Sequence, residues 1–180
     1  MNARFSLGIF LVILTIILLP HFGYAESSSY KVGNLEFTPA PTWKAVTPSS
    51  SMRAYEFQIM DNSISMDMAT LSIFYFGQGQ GGNIDANLQR WVSQFKSHSD
   101  PKIQNHTANL VSITIISVDG TFMDGMPLGP KTEKTDYALI GAIAQGPQGD
   151  VFFKMTGPKP LIKSEEDCFF EMTHSIRIAS

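Results

Sequence analysis

The sequence predicts an α+β domain, in which a mostly antiparallel central sheet of about six to seven strands is covered by two amphipathic helices. Short runs rich in β-branched and aromatic residues follow one another, and the turn-forming residues between them are typical of hairpins. Only two segments, near residues 84–95 and 165–176, carry apolar residues at helical spacing. No internal repeat or second-domain boundary interrupts this order of segments.

Residues 1–25 are predicted to be a secretory signal peptide. Arg4 precedes a run without charged residues, 5–19, and Gly23-Tyr24-Ala25 places small residues where signal peptidase reads them. The run is shorter than the roughly 20 residues of a membrane-spanning helix. We therefore expect cleavage after Ala25 and a periplasmic or secreted protein with no stable membrane anchor. An uncleaved anchor and a buried core helix are the alternatives.

Charge and cysteine content narrow the function classes. Loss of Arg4 with the signal peptide would take the formal net charge from −3 to −4, which provides no electrostatic basis for nucleic-acid binding. The single cysteine, Cys168, cannot form an internal disulfide. We interpret it as a small apolar core residue rather than a nucleophile.

Residues 26–34 are predicted to be a polar linker, and residues 35–180 a single domain. The first strand is expected at Leu35–Phe37, followed by a proline-containing turn that delivers Trp43 to the core. Further strands are expected at 52–59 and 68–76, with a loop at 61–67 between them. The strand at 68–76 is apolar on both faces, which indicates a central position in the sheet.

The segment 74–95 joins the end of that strand to a glycine-rich turn and an amphipathic helix. Asn83 is a suitable N-cap because its side-chain oxygen can accept a hydrogen bond from a free N–H of the first helical turn. Asp85 lies where the helix dipole favours negative charge. Apolar residues then recur at helical spacing: Ile84, Leu88, Trp91, Val92 and Phe95. We expect this stripe to pack against the sheet, with Arg90 pointing away from it.

Residues 97–101 interrupt the pattern after this helix. Four further strands are predicted, over residues 102–107, 111–123, 137–145 and 151–156. Residues 124–136 are interpreted as a loop and 146–149 as a hairpin turn, and Gly157-Pro158 is expected to end the last strand.

A second helix is predicted near the C-terminus. Ser164 is interpreted as its cap, because acidic residues follow directly in the first turn. Phe169, Met172 and Ile176 form its apolar stripe, with Cys168 beside them.

Several motifs together resemble a family of exported bacterial proteins without assigned function. They are Phe74-Tyr75-Phe76-Gly77, Gly81-Gly82, Asn87, Arg90-Trp91, Gln94-Phe95, Gly120-Thr121-Phe122, Gly129-Pro130-Lys131-Thr132 and the run from Phe152 to Pro158. The order of elements is also similar to that of PsbP-like domains. That resemblance implies a central antiparallel sheet flanked by helices, and a binding or assembly role rather than catalysis.

The known catalytic and cofactor motifs fit the sequence poorly, and no cofactor is predicted. Gly77-x-Gly79-x-x-Gly82 matches the dinucleotide-binding fingerprint only formally, since the fingerprint needs a βαβ unit and Asp100 lies in a chain-breaking segment. No Lys-Ser/Thr follows the glycines, so they do not form a P-loop. No nucleophile-elbow sequence is present either.

Metal binding and carboxylate catalysis are likewise not predicted. His98, His106 and His174 are scattered without metal-ligand spacing. Asp119 and Asp124 flank a short segment as paired carboxylates would, but strand ends commonly collect aspartates. Lys154 interrupts an apolar strand and is interpreted as a surface lysine whose ammonium group reaches solvent.

If the protein binds a small polar or anionic group, the site is predicted where the glycine turn meets the helix. The free N–H groups of the first helical turn and the helix dipole favour a small polar or anionic group there. The candidate residues are Gly77, Gln78, Gly79, Gln80, Gly81, Gly82, Asn83 and Arg90. Asp85 disfavours an anion at this place, and the alternative interpretation is a purely structural turn. Arg90 could instead be simply solvated.

Two functional hypotheses follow from the sequence. The first is a non-catalytic binding or assembly module whose partner is an unknown small polar ligand or a protein. The second is a small periplasmic enzyme, hydrolase-like, with a site built from loops. A deep pocket with converging carboxylates or histidines would favour the enzyme.

Overall fold

The computed structural model describes residues 28–60, 68–125 and 129–179. The predicted signal peptide, its cleavage site at Ala25 and the predicted loop at 61–67 lie outside these residues. Within the described part of the chain, no helix has the length and apolar character needed to cross a membrane.

Eleven strands and three helices are present in the described residues. The strands are β1 (Tyr30–Val32), β2 (Leu35–Phe37), β3 (Lys44–Val46), β4 (Arg53–Met60), β5 (Met68–Tyr75), β6 (Phe95–His98), β7 (Lys102–Ala108), β8 (Val111–Gly125), β9 (Lys131–Gly146), β10 (Gly149–Pro158) and β11 (Arg177–Ile178). The helices are α1 (Ile84–Val92), α2 (Lys159–Ser164) and α3 (Glu166–Ser175).

An eight-stranded antiparallel sheet forms the centre of the protein, so the predicted α+β class is confirmed. Its strand order is β3-β4-β5-β10-β9-β8-β6, and β7 pairs with the other half of the long strand β8. A separate three-stranded sheet has the order β1-β2-β11. Strand β5 lies inside the large sheet between β4 and β10, as its apolar residues predict.

The two faces of the large sheet bury different clusters. Phe153 and Met155 of β10 point to one face, where the three-stranded sheet, α2 and α3 cover them. Phe152 points to the opposite face and packs in a smaller cluster with Leu88 and Trp91 of α1. Helix α1 therefore has one face of the sheet largely to itself.

Helix α1 begins as predicted. Asn83 has an extended backbone, and its Oδ1 accepts a hydrogen bond from Ala86 N at 2.8 Å. The helix ends at Val92, one turn earlier than the stripe predicts, because Phe95 pairs with Phe122 in the sheet. Phe95 still packs in the cluster under α1, so the predicted stripe faces the core.

Several short strands were not predicted. Tyr30–Val32 forms a strand within the predicted linker, paired with β2, and Val32 is buried. β3 and β11 contain only three and two residues, and β6 only four. A strand of this length shows no readable alternation, so pairing with a neighbour decides its conformation.

The predicted loop at 124–136 and the predicted end of β10 are wrong. β8 and β9 continue pairing as far as Gly125 and Lys131, so most of that segment is a strand hairpin. Gly157 and Pro158 remain in β10, opposite Ala138 and Tyr137. Cross-strand hydrogen bonding outweighs the turn propensity of the glycines and prolines in both places.

The predicted cap of the last helix is also wrong. Ser164 ends α2, and its Oγ donates a hydrogen bond to the Leu161 carbonyl oxygen at 2.9 Å. α3 begins after Glu165, which makes no side-chain capping bond. Glu165 instead accepts a hydrogen bond from Trp43 Nε1 at 2.8 Å. This bond joins the turn before β3 to the start of α3.

Candidate functional site

The glycine turn before α1 has a backbone that other residues would strain. Gly77, Gly79 and Gly82 have φ values of +91°, +70° and +76°, a region that is costly for residues with a Cβ. Gly81 is needed for space, since a Cβ there would lie 2.6 Å from the ring of Phe152. These positions account for the glycines by chain geometry alone.

Asn87 holds the turn against the helix. Its buried side-chain Nδ2 donates to the carbonyl oxygens of Gly81 at 2.8 Å and Asn83 at 2.9 Å. Its Oδ1 accepts a hydrogen bond from Arg90 Nη1 at 2.9 Å. Arg90 is thus fixed to the helix it belongs to. Asn87 belongs to a motif in the sequence, but no signal there predicts this role.

The candidate residues from the sequence are only partly brought together. The glycines, Gln78, Gln80 and Asn83 lie at the start of α1, while Arg90 borders a different cavity near the end of the helix. A shallow groove of about 540 Å³ borders Asn83 and contains Asp85 and Asp150. Burial raises the pKa of Asp150. Two carboxyl groups beside the helix N-terminus disfavour an anion there, and the predicted site at the turn stays a prediction.

A second cavity lies between the end of α1 and the sheet, and we call it the Lys154 cavity. Its volume is about 430 Å³, within the usual range for small-molecule sites. Side chains from β4, β5, β8, β9, β10, α1 and the segment after α1 line it. The polar and aromatic ones that matter here are Arg53, Ser72, Phe74, Arg90, Gln94, Phe122, Asp124, Lys131 and Lys154.

Lys154 reaches this cavity from the middle of β10. Its cross-strand neighbours are Ser72 on β5 and Gly141 on β9, so the residue is surrounded by paired backbone. Its Nζ donates a hydrogen bond to Gln94 Oε1 and lies 5.4 Å from the centre of the Phe122 ring. Burial, and then the charge of Arg53, lower the pKa of the Lys154 amino group to about 8, against a smaller opposing effect of Asp124.

The interpretation of Lys154 as a surface lysine is therefore wrong. Strand alternation correctly places it opposite Phe153 and Met155. That opposite face is covered by α1 and the segment after it, so the ammonium group points into a cavity. The signal in the sequence was a charged residue inside the apolar run from Val151 to Met155.

Gln94 is held in place by its own backbone. Its N–H donates to the Trp91 carbonyl oxygen at 3.2 Å, and its carbonyl oxygen accepts from Met123 N at 2.8 Å. The amide side chain is therefore presented to Lys154 by the junction of α1 and β8. Gln94 belongs to a motif in the sequence, but no signal there predicts that it is a site residue.

The Lys154 cavity has more positive than negative groups. Lys154, Arg53, Arg90 and Lys131 border it, together with the carboxylate of Asp124. Arg53 is partly neutralised, because its Nη1 lies 2.7 Å from Glu56 Oε2. An excess of positive charge remains, in a chain whose formal net charge is −3.

The predicted carboxylate pair does not converge on one site. Asp119 accepts hydrogen bonds from Lys159 Nζ at 2.8 Å and Ser99 Oγ at 3.2 Å, in a cleft of about 290 Å³. Lys159 holds the pKa of Asp119 below its usual range. Asp124 borders the Lys154 cavity instead. This arrangement does not support a two-carboxylate hydrolase.

The histidines and the cysteine also lack a catalytic arrangement. The rings of His106 and His174 stack with centroids 4.5 Å apart, and burial lowers the pKa of His106. Burial and neighbouring acidic groups raise the pKa of Cys168, which favours the neutral thiol. Across residues 28–60, 68–125 and 129–179, no three potential ligands gather as a metal site.

Comparisons with known proteins add information about the fold. The solution structure of cyanobacterial PsbP (CyanoP) from Synechocystis sp. PCC 6803 is similar to this chain, with a TM-score of 0.54. The fold is PsbP-like. The similarity covers 89% of this chain and 98% of CyanoP, at 11% sequence identity. At that identity the PsbP-like likeness concerns the fold alone, and no protein-family model or curated protein matches the sequence.

Proposed function

We propose that this PsbP-like protein is an exported, non-catalytic module that binds a small polar molecule in the Lys154 cavity. The observation that carries this proposal is the ammonium group of Lys154, a half-buried side chain that borders the cavity. An ammonium group has three N–H donors, and Gln94 accepts one hydrogen bond from Nζ. The remaining donors face a cavity of about 430 Å³.

The energetic cost of Lys154 also supports a binding role. Withdrawing an ammonium group from water lowers its pKa and disfavours the charged form. A ligand that accepts its hydrogen bonds would offset this cost. The cavity is thus better explained by binding than by stability of the unliganded fold.

Export is the second part of the proposal. It rests on the charged, apolar and small-residue regions of residues 1–25. A binding module of this kind would work in the periplasm or outside the cell. A protein partner that docks over the cavity is compatible with the same role.

Binding can be tested by NMR titration of the purified, isotopically labelled protein. The probes are inorganic phosphate, acetate, phenylacetate, glucose and ethanolamine, each at millimolar concentration. We expect at least one probe to shift the amide signals of Ser72, Gln94 and Lys154.

Two variants give the titration its specificity. Lys154→Met should remove the shifts, whereas Lys44→Met, at an exposed lysine of the edge strand β3, should leave them unchanged. No shift around the cavity with any probe would contradict the proposal. Shifts confined to residues 77–85 would favour the glycine turn as the binding site instead.

A further inference from the structure

We propose that the Lys154 cavity selects an amphipathic organic anion, with a carboxylate head group and a flat or branched apolar body. This inference rests on the proposed function and adds the chemical class of the ligand. It follows from the lining of the cavity, where cationic groups (the cationic part) and the rings of Phe74 and Phe122 (the aromatic part) border the same space.

The cationic part can hold one carboxylate. Lys154 has N–H donors beyond the one that Gln94 accepts, and Arg90 has donors beyond the one that Asn87 accepts. Arg53 lies near enough to Lys154 for its charge to disfavour the ammonium form. A carboxylate among these groups would relieve that repulsion and make charge-assisted hydrogen bonds.

The aromatic part is rigid. The Phe122 ring is only 7% exposed and is stacked on Tyr137, with centroids 6.2 Å apart, and it meets the Phe95 ring at 5.3 Å. Phe74 borders the cavity from β5 and stacks on Phe76. Phe74 is half-buried, so its ring offers apolar surface against which a ring or branched chain can lie, while Phe122 is held mostly by its own neighbours.

The volume accommodates a body larger than the head group. At ~30 Å³ for each water, about 430 Å³ corresponds to roughly fourteen waters. A bare carboxylate or phosphate would leave most of that space, and the exposed part of the Phe74 ring, in contact with water. An apolar body of about the size of a phenyl group would displace this water.

Other ligand classes fit less well. A neutral sugar would leave the Lys154 ammonium without an opposite charge, and a cation would be repelled by Lys154, Arg90 and Arg53. Asp124 beside the cavity disfavours head groups of high negative charge. A single carboxylate matches this balance.

The test is isothermal titration calorimetry at pH 7 with a matched set of phenyl compounds. Phenylacetate, 2-phenylethanol and 2-phenylethylamine share one body and differ in the charge of the head group, while acetate keeps the head group alone. We expect phenylacetate to bind at least about tenfold more tightly than acetate, because burying the ring adds apolar area. Its affinity should exceed that of 2-phenylethanol by about tenfold, and 2-phenylethylamine should not bind.

Substitutions connect the preference to the cavity. Lys154→Met and Lys154→Gln should each weaken phenylacetate binding by about tenfold or more, while Lys44→Met leaves it unchanged. Circular dichroism and NMR spectra of each variant show whether it is folded. Lys154→Gln keeps a polar side chain and removes only the charge, whereas Lys154→Met removes both the charge and the hydrogen-bond donors.

The outcomes separate this inference from the proposed function. Equal affinity for phenylacetate and 2-phenylethanol, or preference for glucose or acetate at the same residues, would overturn the ligand class and leave the binding module intact. Phenylacetate binding that survives both Lys154 variants would overturn the inference as well. If no compound binds in the cavity, both proposals fail.

Discussion

At the scale of single residues, Lys154 is the most informative position in the chain. It is flanked by Phe153 and Met155, which point to the other face of the sheet and belong to the larger core cluster. Alternation along β10 therefore predicts its side correctly. Alternation cannot predict that other residues cover this face. Helix α1 and Gln94 cover it, and Gln94 lies 60 residues earlier in the chain than Lys154.

Lys154→Met should stabilise the unliganded protein. Lowering the pKa of Lys154 from 10.5 to about 8 costs roughly 3 kcal/mol at neutral pH, and partial solvent access and loss of the bond to Gln94 reduce the gain. We expect the free energy of unfolding at pH 7 to rise by about 1–2 kcal/mol. Urea denaturation measures it, and Lys44→Met, as control, should stay within about 0.5 kcal/mol of the parent.

The pH dependence of the same variant provides a sign test. Below pH 8 both folded and unfolded chains hold the Lys154 proton, so this group gives no slope. Between pH 8 and 10.5 the unfolded chain binds more protons than the folded chain. The free energy of unfolding of the parent should therefore rise by about 1–2 kcal/mol by pH 9.5, relative to that of the variant. If the gap between the two proteins does not narrow with rising pH, the amino group is not buried as described.

At the scale of elements, helix α1 and the sheet are fitted to each other at Trp91 and Gly141. A Cβ on Gly141 would lie 2.4 Å from Cζ3 of the Trp91 ring. Glycine at that point of β9 therefore lets the indole lie directly on the sheet, next to Lys154 on β10. The helix was predictable because its apolar stripe spans three turns. Gly141, on which Trp91 packs, has no local signal in the sequence.

Trp91→Ala should cost about 3–5 kcal/mol of unfolding free energy by leaving a cavity. Gly141→Ala should cost about 1–3 kcal/mol by overpacking. The double variant should lose less than the sum, since the added methyl group then meets no indole. Urea denaturation of the four proteins measures the coupling.

Arg90→Ala provides the control on the exposed side of the same helix. It should cost about 1 kcal/mol, well below the cost of Trp91→Ala, because the loss is confined to the hydrogen bond that Arg90 donates to Oδ1 of the buried Asn87. Strict additivity of the Trp91 and Gly141 substitutions would mean that the two residues are not in contact.

At the scale of the whole molecule, the PsbP-like architecture could be predicted in outline and the site could not. The class, the central position of β5 and the placement of α1 follow from composition and period over eight residues or more. The Lys154 cavity depends on Arg53, Ser72, Gln94 and Phe122, which lie on different elements. These residues come together only because of the order of the strands in the sheet. The sequence does not predict that order, so it does not predict the cavity.

Export is tested on the whole molecule by intact mass. The protein recovered from the periplasm or medium of an expressing bacterium should lack residues 1–25, and its N-terminal residue should be Glu26. Ala25→Arg, which places a large charged residue at the cleavage position, should leave the precursor uncut. A mass that includes the leader in the parent protein would rule out cleavage.

The small sheet β1-β2-β11 brings both ends of the described chain to one side. Ala179 N donates a hydrogen bond to the Asn34 carbonyl oxygen at 2.9 Å, close to where β1 turns into β2. This sheet packs on Phe153, on the face opposite Lys154. A tag, a surface linkage or a fused domain attached directly before residue 28 or after residue 179 would therefore lie on the side of the sheet opposite the Lys154 cavity and leave the cavity accessible.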